Sequence, residues 1–231
     1  MINTQAPLVI KNGSVESTYI AVYGHKDGDI TLENVNVTAT DVGVHLGHKD
    51  GTCGDAKLTL KNTKINTDGT GILIHGANNK VYIENSTINH NYFGITQNGV
   101  IPGSEVELVN VNISGTYSGI YLSNKAGGAK NILKVTGGSI HSDEESAVEV
   151  KKTDITVKNV TLSSSATTQS YSVNGGGSNG IGYGIVLAGY ADGTAYEGET
   201  SFENITFNLT ATGDDVKKII KYNGTSIDEV N

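Results

Sequence analysis

Apolar residues alternate with other residues in short segments along most of the chain. This period of two predicts β-strands, and the segments are rich in β-branched residues, as strands are. Before about residue 214 no segment has the periodicity of a helix. The alternation is clearest at Ile72 and Ile74, Val81 and Ile83, Val106 and Leu108, and Ile120 and Leu122.

The strands recur within a longer repeat. An apolar residue, one spacer, Asn, two spacers and a second apolar residue return along the whole chain. The first seven copies are 22 to 28 residues apart, and a small residue followed by Val or Ile comes after most of them. Repeats of this length without helices predict an all-β, single-stranded parallel β-helix, a solenoid of about eight coils. The central positions are Asn12, Asn34, Asn62, Asn85, Asn110, Gly137, Asn159 and Asn204.

The Asn position predicts a tight turn. Asn adopts the left-handed backbone conformation more readily than other side chains, and the one replacement, Gly137, adopts it at no steric cost. Stacked Asn side chains are also expected to hydrogen-bond along their column. The residue before Asn alternates in sign over four repeats, and this predicts the register of neighbouring coils. These residues are Lys11, Glu33, Lys61 and Glu84.

With this repeat and its turn asparagines, the sequence resembles the right-handed parallel β-helix superfamily, the pectin-lyase-like fold, over roughly residues 8 to 210. The superfamily includes polysaccharide lyases and hydrolases, phage tailspikes and adhesin passenger domains of the pertactin type. The chain is closest in character to the last, non-catalytic group. We expect one domain over 1–231, with a cap over about 211–231, taken from a longer protein.

The cap is predicted to contain a short C-terminal helix. Val216, Ile219 and Ile220 have helical spacing, and Asp214 precedes them as a candidate N-cap. Such a helix would cover the open end of the solenoid.

Composition and charge exclude several classes of partner. All 16 basic residues are lysines, against 24 acidic residues, which gives a net charge of -8. Nucleic acid is therefore not expected as a partner, since phosphate binding needs a basic face. No apolar run is long enough for membrane insertion of this segment. Cys53 is the single cysteine, so we expect an inert thiol and no disulfide.

The familiar chemistry of the superfamily is missing from this chain. The best-known pectate lyases use an arginine base, and the motif series of polygalacturonase-like hydrolases is absent. We therefore expect no catalytic residue. A polysaccharide lyase with a lysine base, a glycoside hydrolase or a tailspike-like glycan-binding domain is the alternative.

Polar clusters offer candidate cation sites. The segment Gly-His-Lys-Asp-Gly occurs at 24–28 and again at 47–51. A metal cluster of His48, His75 and Asp50 is conceivable, but solvated polar turns are the preferred interpretation, so no metal site is expected. No cofactor is expected either. Calcium between carboxylates is the alternative, at Asp143, Glu144, Glu145 and Asp68.

The largest departure from the repeat lies between Leu162 and Gly184, where Tyr, Ser, Gly and Asn predominate. Tyrosine gives large amphipathic contact area and glycine lets a loop adapt, so these loops are predicted to bind a partner. An insertion without a ligand is the alternative. The predicted binding residues are Tyr171, Asn174, Tyr183, Tyr190 and Tyr196, with outward-facing Tyr121. A second aromatic stripe is formed by Tyr92, Phe93, Tyr117 and Tyr121.

These expectations combine into one hypothesis about function. The chain is predicted to be a bacterial, extracellular or cell-surface module of the adhesin type. Its partner would be a glycan or a host or microbial surface protein. The location follows from the resemblance alone.

Overall fold

The computed structural model describes residues 1–25, 28–48, 54–97, 103–124, 128–173, 179–213 and 215–230. Within these ranges the chain forms strands and no helix. The first twelve strands are β1 (Ile2–Thr4), β2 (Leu8–Ser17), β3 (Ile20–Gly24), β4 (Ile30–Ala39), β5 (Val42–Leu46), β6 (Lys57–Lys61), β7 (Lys64–Thr67), β8 (Thr70–Ile74), β9 (Lys80–Glu84), β10 (Thr87–His90), β11 (Ile95–Gln97) and β12 (Glu105–Gly115). The others are β13 (Ile120–Leu122), β14 (Asn131–Ser142), β15 (Val148–Lys151), β16 (Thr153–Lys158), β17 (Thr161–Ser164), β18 (Ser170–Tyr171), β19 (Gly180–Ile181), β20 (Ile185–Ala188), β21 (Thr200–Glu203), β22 (Thr206–Leu209), β23 (Ile219–Tyr222) and β24 (Ile227–Glu229).

Parallel pairing stacks these strands into two long sheets. Sheet A has the order β1-β3-β5-β8-β11-β13-β15-β20-β23 and ends with the antiparallel strand β24. Sheet B starts with β2 and β4, continues through β6 with β7, β9 with β10, β12, β14, and β16 with β17, and ends with β21 and β22. The chain alternates between the two sheets, so the prediction of an all-β parallel β-helix is confirmed.

The solenoid makes about six turns, slightly fewer than the eight coils expected. Six regular turns of 22 to 28 residues separate Asn12 from Asn159. The next turn takes 45 residues, up to Asn204. The expected number equals the number of Asn or Gly positions in the repeat. Eight positions bound seven intervals, and one of these is the 45-residue turn, so six regular turns remain.

The Asn column lies at the turn within each rung of sheet B. The seven Asn residues have φ between 48° and 56°, and Gly137 has φ 70°. The side-chain amide of Asn34 donates to Asn12 Oδ1 at 3.0 Å, and that of Asn204 donates to Asn159 Oδ1 at 3.1 Å. The left-handed turns and the hydrogen bonds between neighbouring Asn side chains are thus both confirmed.

The outward charges before the Asn column confirm the predicted register. Lys11 pairs with Glu33 at 2.7 Å, and Lys61 pairs with Glu84 at 3.4 Å. Glu33 also lies directly opposite Lys61 in the ladder between β4 and β6. A shift of one residue would turn these side chains towards the apolar interior.

The interior is filled by aliphatic side chains from both sheets, and the small residue at or next to the start of most sheet A strands has a steric cause. A Cβ on Gly71 would lie 2.5 Å from the carbonyl oxygen of Gly94 and 2.4 Å from a methyl of Ile88. The corner between the sheets is therefore too tight for larger side chains. Ile72, which follows Gly71, is completely buried.

The predicted C-terminal helix is wrong for the part of this segment that the structure describes. Ile219 lies opposite Ile185, and β23 continues sheet A in parallel with β20. A strand satisfies the backbone groups at the edge of β20, whereas a helix would leave that edge open. The β-branched pair Ile219 and Ile220 also favours a strand.

Candidate functional site

On the outer face of sheet A, each strand from β3 to β20 contributes one residue to a column aligned along the solenoid axis. In register from the N-terminal end, this outward column consists of Tyr23, His45, Leu73, Thr96, Tyr121, Glu149 and Val186. The first three are half-buried, and the last four are buried. The outer face is therefore accessible at its N-terminal end and covered at its C-terminal end.

A groove of about 350 Å³ lies on the accessible part of this face. Its aromatic wall contains Tyr92, which is 54% exposed. The Tyr92 ring meets Phe93 edge-on at 4.7 Å and Tyr117 at 5.3 Å, and Phe93 stacks on Tyr121 at 5.3 Å between centroids. The predicted aromatic stripe is thus a contiguous cluster. The groove is lined by Asp41, Val42, Thr70, Leu73, His75, Tyr92, Phe93, Thr96 and Tyr121.

The groove carries little positive charge. Burial, followed by the neighbouring His48, lowers the pKa of His75. Burial, followed by His75, lowers the pKa of His45 to about 4. Both imidazoles are therefore neutral near pH 7, and the exposed side chain of Asp41 leaves the groove negative.

Four histidines gather at the N-terminal end of the groove, and we call His25, His45, His48 and His75 the histidine cluster. His45 Nε2 lies 2.8 Å from His75 Nδ1. The His25 and His48 rings stack with centroids 6.0 Å apart, so the two repeated segments place their histidines side by side. Asp50 lies outside the described residues. The sequence patterns do not single out His45 as a site residue. Its place between the inward side chains of Val44 and Leu46 is nevertheless a signal that it faces outward.

The covered end of the outer face contains a buried carboxylate. Glu149 has no exposed surface. Its oxygens accept the backbone N–H of Asn179 at 2.9 and 2.7 Å and that of Gly180 at 2.9 Å. Burial raises the pKa of Glu149 to about 7, against the opposing effect of these hydrogen bonds. Glu149 therefore attaches the irregular segment between Leu162 and Gly184 to sheet A.

A buried lysine lies beside this carboxylate. Lys151 is 1% exposed, and its Nζ lies 6.0 Å from the Tyr121 ring centroid and 5.9 Å from that of Tyr190. Burial lowers the pKa of Lys151, and the charge of Glu149 opposes this shift. The aromatic faces and the carboxylate together make the burial of the amine tolerable.

The predicted binding tyrosines that the structure describes are mostly covered. Tyr121 does point away from the interior, but it is 2% exposed. Tyr183, Tyr190 and Tyr196 are also buried. Tyr183 packs on the outer face of sheet A, whereas Tyr196 packs in the interior core. Tyr171 is half-buried, and its hydroxyl accepts the backbone N–H of Gly189 at 3.1 Å. Asn174 lies outside the described residues, and a binding role for these residues stays a prediction.

The acidic loop residues make contacts within the protein. Glu145 Oε2 accepts hydrogen bonds from the backbone N–H and the hydroxyl of Ser118 at 3.0 and 2.8 Å. Asp143 contacts His141 at 3.0 Å. In the described part of the chain, no three His, Cys, Asp or Glu residues are grouped to hold a metal ion. Calcium binding stays a prediction, and Cys53 lies outside the described residues.

Two larger cavities lie away from this groove. One of about 540 Å³ is formed at the C-terminal end of the solenoid, where Phe202 and Phe207 of the last sheet B rung face Val230. The other, of about 470 Å³, lies on sheet B beside Asn66 and Asn89. The groove on sheet A differs from both because an exposed aromatic ring and several polar groups converge there.

The architecture defines a parallel β-solenoid whose outer face is open over part of one sheet. A family model described as right handed beta helix region matches residues 20–207. The chain therefore belongs to the right-handed β-helix family, and the resemblance inferred from its Asn repeat is confirmed. Neither the comparison with curated proteins nor that with solved structures gave a match. Among the described residues, no helix has the length and apolar character needed to cross a membrane.

Proposed function

We propose that this protein is a non-catalytic binding module that holds a neutral glycan in the groove on the outer face of sheet A. The observation that supports this proposal most directly is the exposed Tyr92 ring beside hydrogen-bonding groups of the same groove. An extracellular or cell-surface location in a bacterium, with an adhesin role, belongs to the same proposal.

The lining of the groove matches the chemistry of a sugar. A pyranose presents C–H groups on one face and hydroxyl groups around its edge. Aromatic rings such as Tyr92 and Phe93 offer flat apolar surface to the C–H face. Thr70, Thr96 and Asp41 offer hydrogen bonds to the hydroxyl groups.

The charge of the groove favours a neutral ligand. Among the described residues that line the groove, Asp41 is the single carboxylate and none is a lysine or arginine. The net charge of -8 adds long-range repulsion of acidic polysaccharides.

The same lining supports binding without catalysis. Glycoside hydrolases generally use two carboxylates on opposite sides of the scissile bond, and this groove supplies one. The described lining residues also include no lysine to act as the alternative base. Glu149 has the raised pKa of an acid-base catalyst, but it is completely buried and bonded to the insertion.

Calorimetric titration with neutral and acidic oligosaccharides tests the proposal. We expect binding of a neutral oligosaccharide that weakens about tenfold or more in Tyr92→Ala, since a stacked ring contributes roughly 1–2 kcal/mol. Tyr82→Ala, on the outer face of sheet B, is the matched control and should bind as the native protein does. Equal loss in both variants, or binding of acidic chains only, would contradict the proposal.

A second assay separates binding from catalysis. Neutral and acidic polysaccharides are incubated with the protein, and new reducing ends and unsaturated products are measured. We expect neither product. Turnover by the native protein that is lost in Tyr92→Ala would establish the alternative, a polysaccharide-active enzyme.

A further inference from the structure

The contact between His45 and His75 joins two neighbouring rungs of sheet A. His45 lies in β5, and His75 directly follows β8, the next strand of the sheet. Both rings are on the outer face and half-buried. The positions of the two imidazoles are therefore fixed by the ladder between β5 and β8 rather than by a mobile loop.

The distance between the two nitrogens suits two ligands of one metal ion. Ring nitrogens about 2.0 Å from an ion and at right angles around it are about 2.9 Å apart, whereas tetrahedral ligands are about 3.3 Å apart. His45 Nε2 and His75 Nδ1 are 2.8 Å apart. The geometry corresponds to adjacent positions of a square-planar or octahedral ion, which Cu²⁺ and Ni²⁺ prefer over the tetrahedral arrangement typical of Zn²⁺.

We propose that His45 and His75 form a two-histidine site for Cu²⁺ or Ni²⁺ at the N-terminal end of the groove. Water completes the coordination sphere, because no third His, Cys, Asp or Glu of the described residues is grouped with them. His25 and His48 lie close by and make the surroundings rich in imidazole. Affinity follows the general order for nitrogen ligands, with Cu²⁺ first, then Ni²⁺.

Titration of the intact protein with Cu²⁺ and with Ni²⁺, followed by calorimetry, tests this site. We expect one tight Cu²⁺ per chain, weaker Ni²⁺, and an electron paramagnetic resonance spectrum of the Cu²⁺ complex with two imidazole nitrogens. His45→Gln and His75→Gln should each weaken Cu²⁺ binding about tenfold or more, since each removes one of the two ligands.

Control variants make the result specific. His141→Gln removes a histidine from the outer face of sheet B and should leave the tight site unchanged. His25→Gln and His48→Gln should also retain two-nitrogen binding. Circular dichroism and thermal unfolding of every variant verify that the solenoid is intact.

Two results would overturn the proposal. One is Cu²⁺ binding that is unaffected by His45→Gln and His75→Gln but lost in His25→Gln or His48→Gln. The other is an absence of tight binding in the folded native protein, which would leave the contact as an ordinary hydrogen bond between two rings.

Discussion

The two ends of the outer face of sheet A have the same backbone geometry but opposite environments. At the N-terminal end, His45 and Leu73 are half-buried, and Leu73 lines an open groove. At the C-terminal end, Glu149 and Val186 occupy equivalent positions of later rungs and are completely buried. The difference comes from the covering segments, since the ladder continues unchanged from one end to the other.

This contrast shows how a regular solenoid acquires a local site. The first regular turns leave the outward column half-buried at Tyr23, His45 and Leu73, so a ligand can reach this part of it. The 45-residue turn provides enough chain to fold back over the column, and its residues Tyr171 and Tyr183 pack in one cluster with Val186 and Ile220. A polar side chain at the covered end therefore has a structural role, while one at the open end is available for binding.

The largest effect is expected from Glu149→Ala. The change leaves the buried N–H groups of Asn179 and Gly180 without an acceptor, which should lower the free energy of unfolding by about 2–4 kcal/mol. Urea unfolding at pH 6 measures this loss. Glu33→Ala removes an exposed carboxylate of the same type from sheet B and should cause no measurable change. Equal effects of the two substitutions would show that burial at the covered end is unimportant.

A pH dependence of stability is the next effect. The pKa of Glu149 rises from 4.5 in the unfolded chain to about 7 in the folded one, so the folded protein binds more protons between these values. The contribution of Glu149 to stability is therefore complete below about pH 4.5 and is lost as the pH rises to about 7, by up to about 3 kcal/mol.

Comparison with Glu149→Gln isolates this contribution. The difference in unfolding free energy between native protein and Glu149→Gln should shift in favour of the variant as the pH rises from 4.5 to 7. Urea unfolding at several pH values follows this difference. A difference that is constant with pH would contradict the assignment.

The smallest effect concerns the turn that both ends share. Asn85 has φ 48° and accepts a side-chain hydrogen bond from Asn110. Asn85→Ala should lower the unfolding free energy by about 1–2 kcal/mol, because alanine resists the left-handed conformation. Asn85→Gly should cost less, since glycine adopts it freely. Thermal unfolding of the pair tests this order, and a glycine variant less stable than the alanine variant would refute it.

Much of the fold could be predicted because its determinants are local and repeat. The left-handed turn at Asn62 or Asn110 is a property of one residue type, and the alternation around Ile72 specifies which side chains face inward. The opposite charges of Lys61 and Glu84 were enough to predict the register of their neighbouring coils. The C-terminal helix prediction is wrong because the spacing of Val216, Ile219 and Ile220 is helical, whereas pairing with the free edge of β20 requires a strand.

The candidate site was predicted less well because its residues depend on which segment covers which rung. The sequence patterns single out His48, His75 and the aromatic stripe. They do not single out His45, although the same alternation places its side chain outward beside them. Nothing near Glu149 in the sequence indicates burial, since the N–H groups that it binds are 30 and 31 residues away.

The sequence by itself determined the parallel solenoid, its turns and the inward or outward direction of the side chains within the repeat, because these features follow from short-range sterics repeated once per coil. Only the tertiary structure decided where the outer face of sheet A is open and where it is covered. Which part of this face is covered depends on contacts of an irregular turn with strands distant in the sequence, and no local period encodes these contacts.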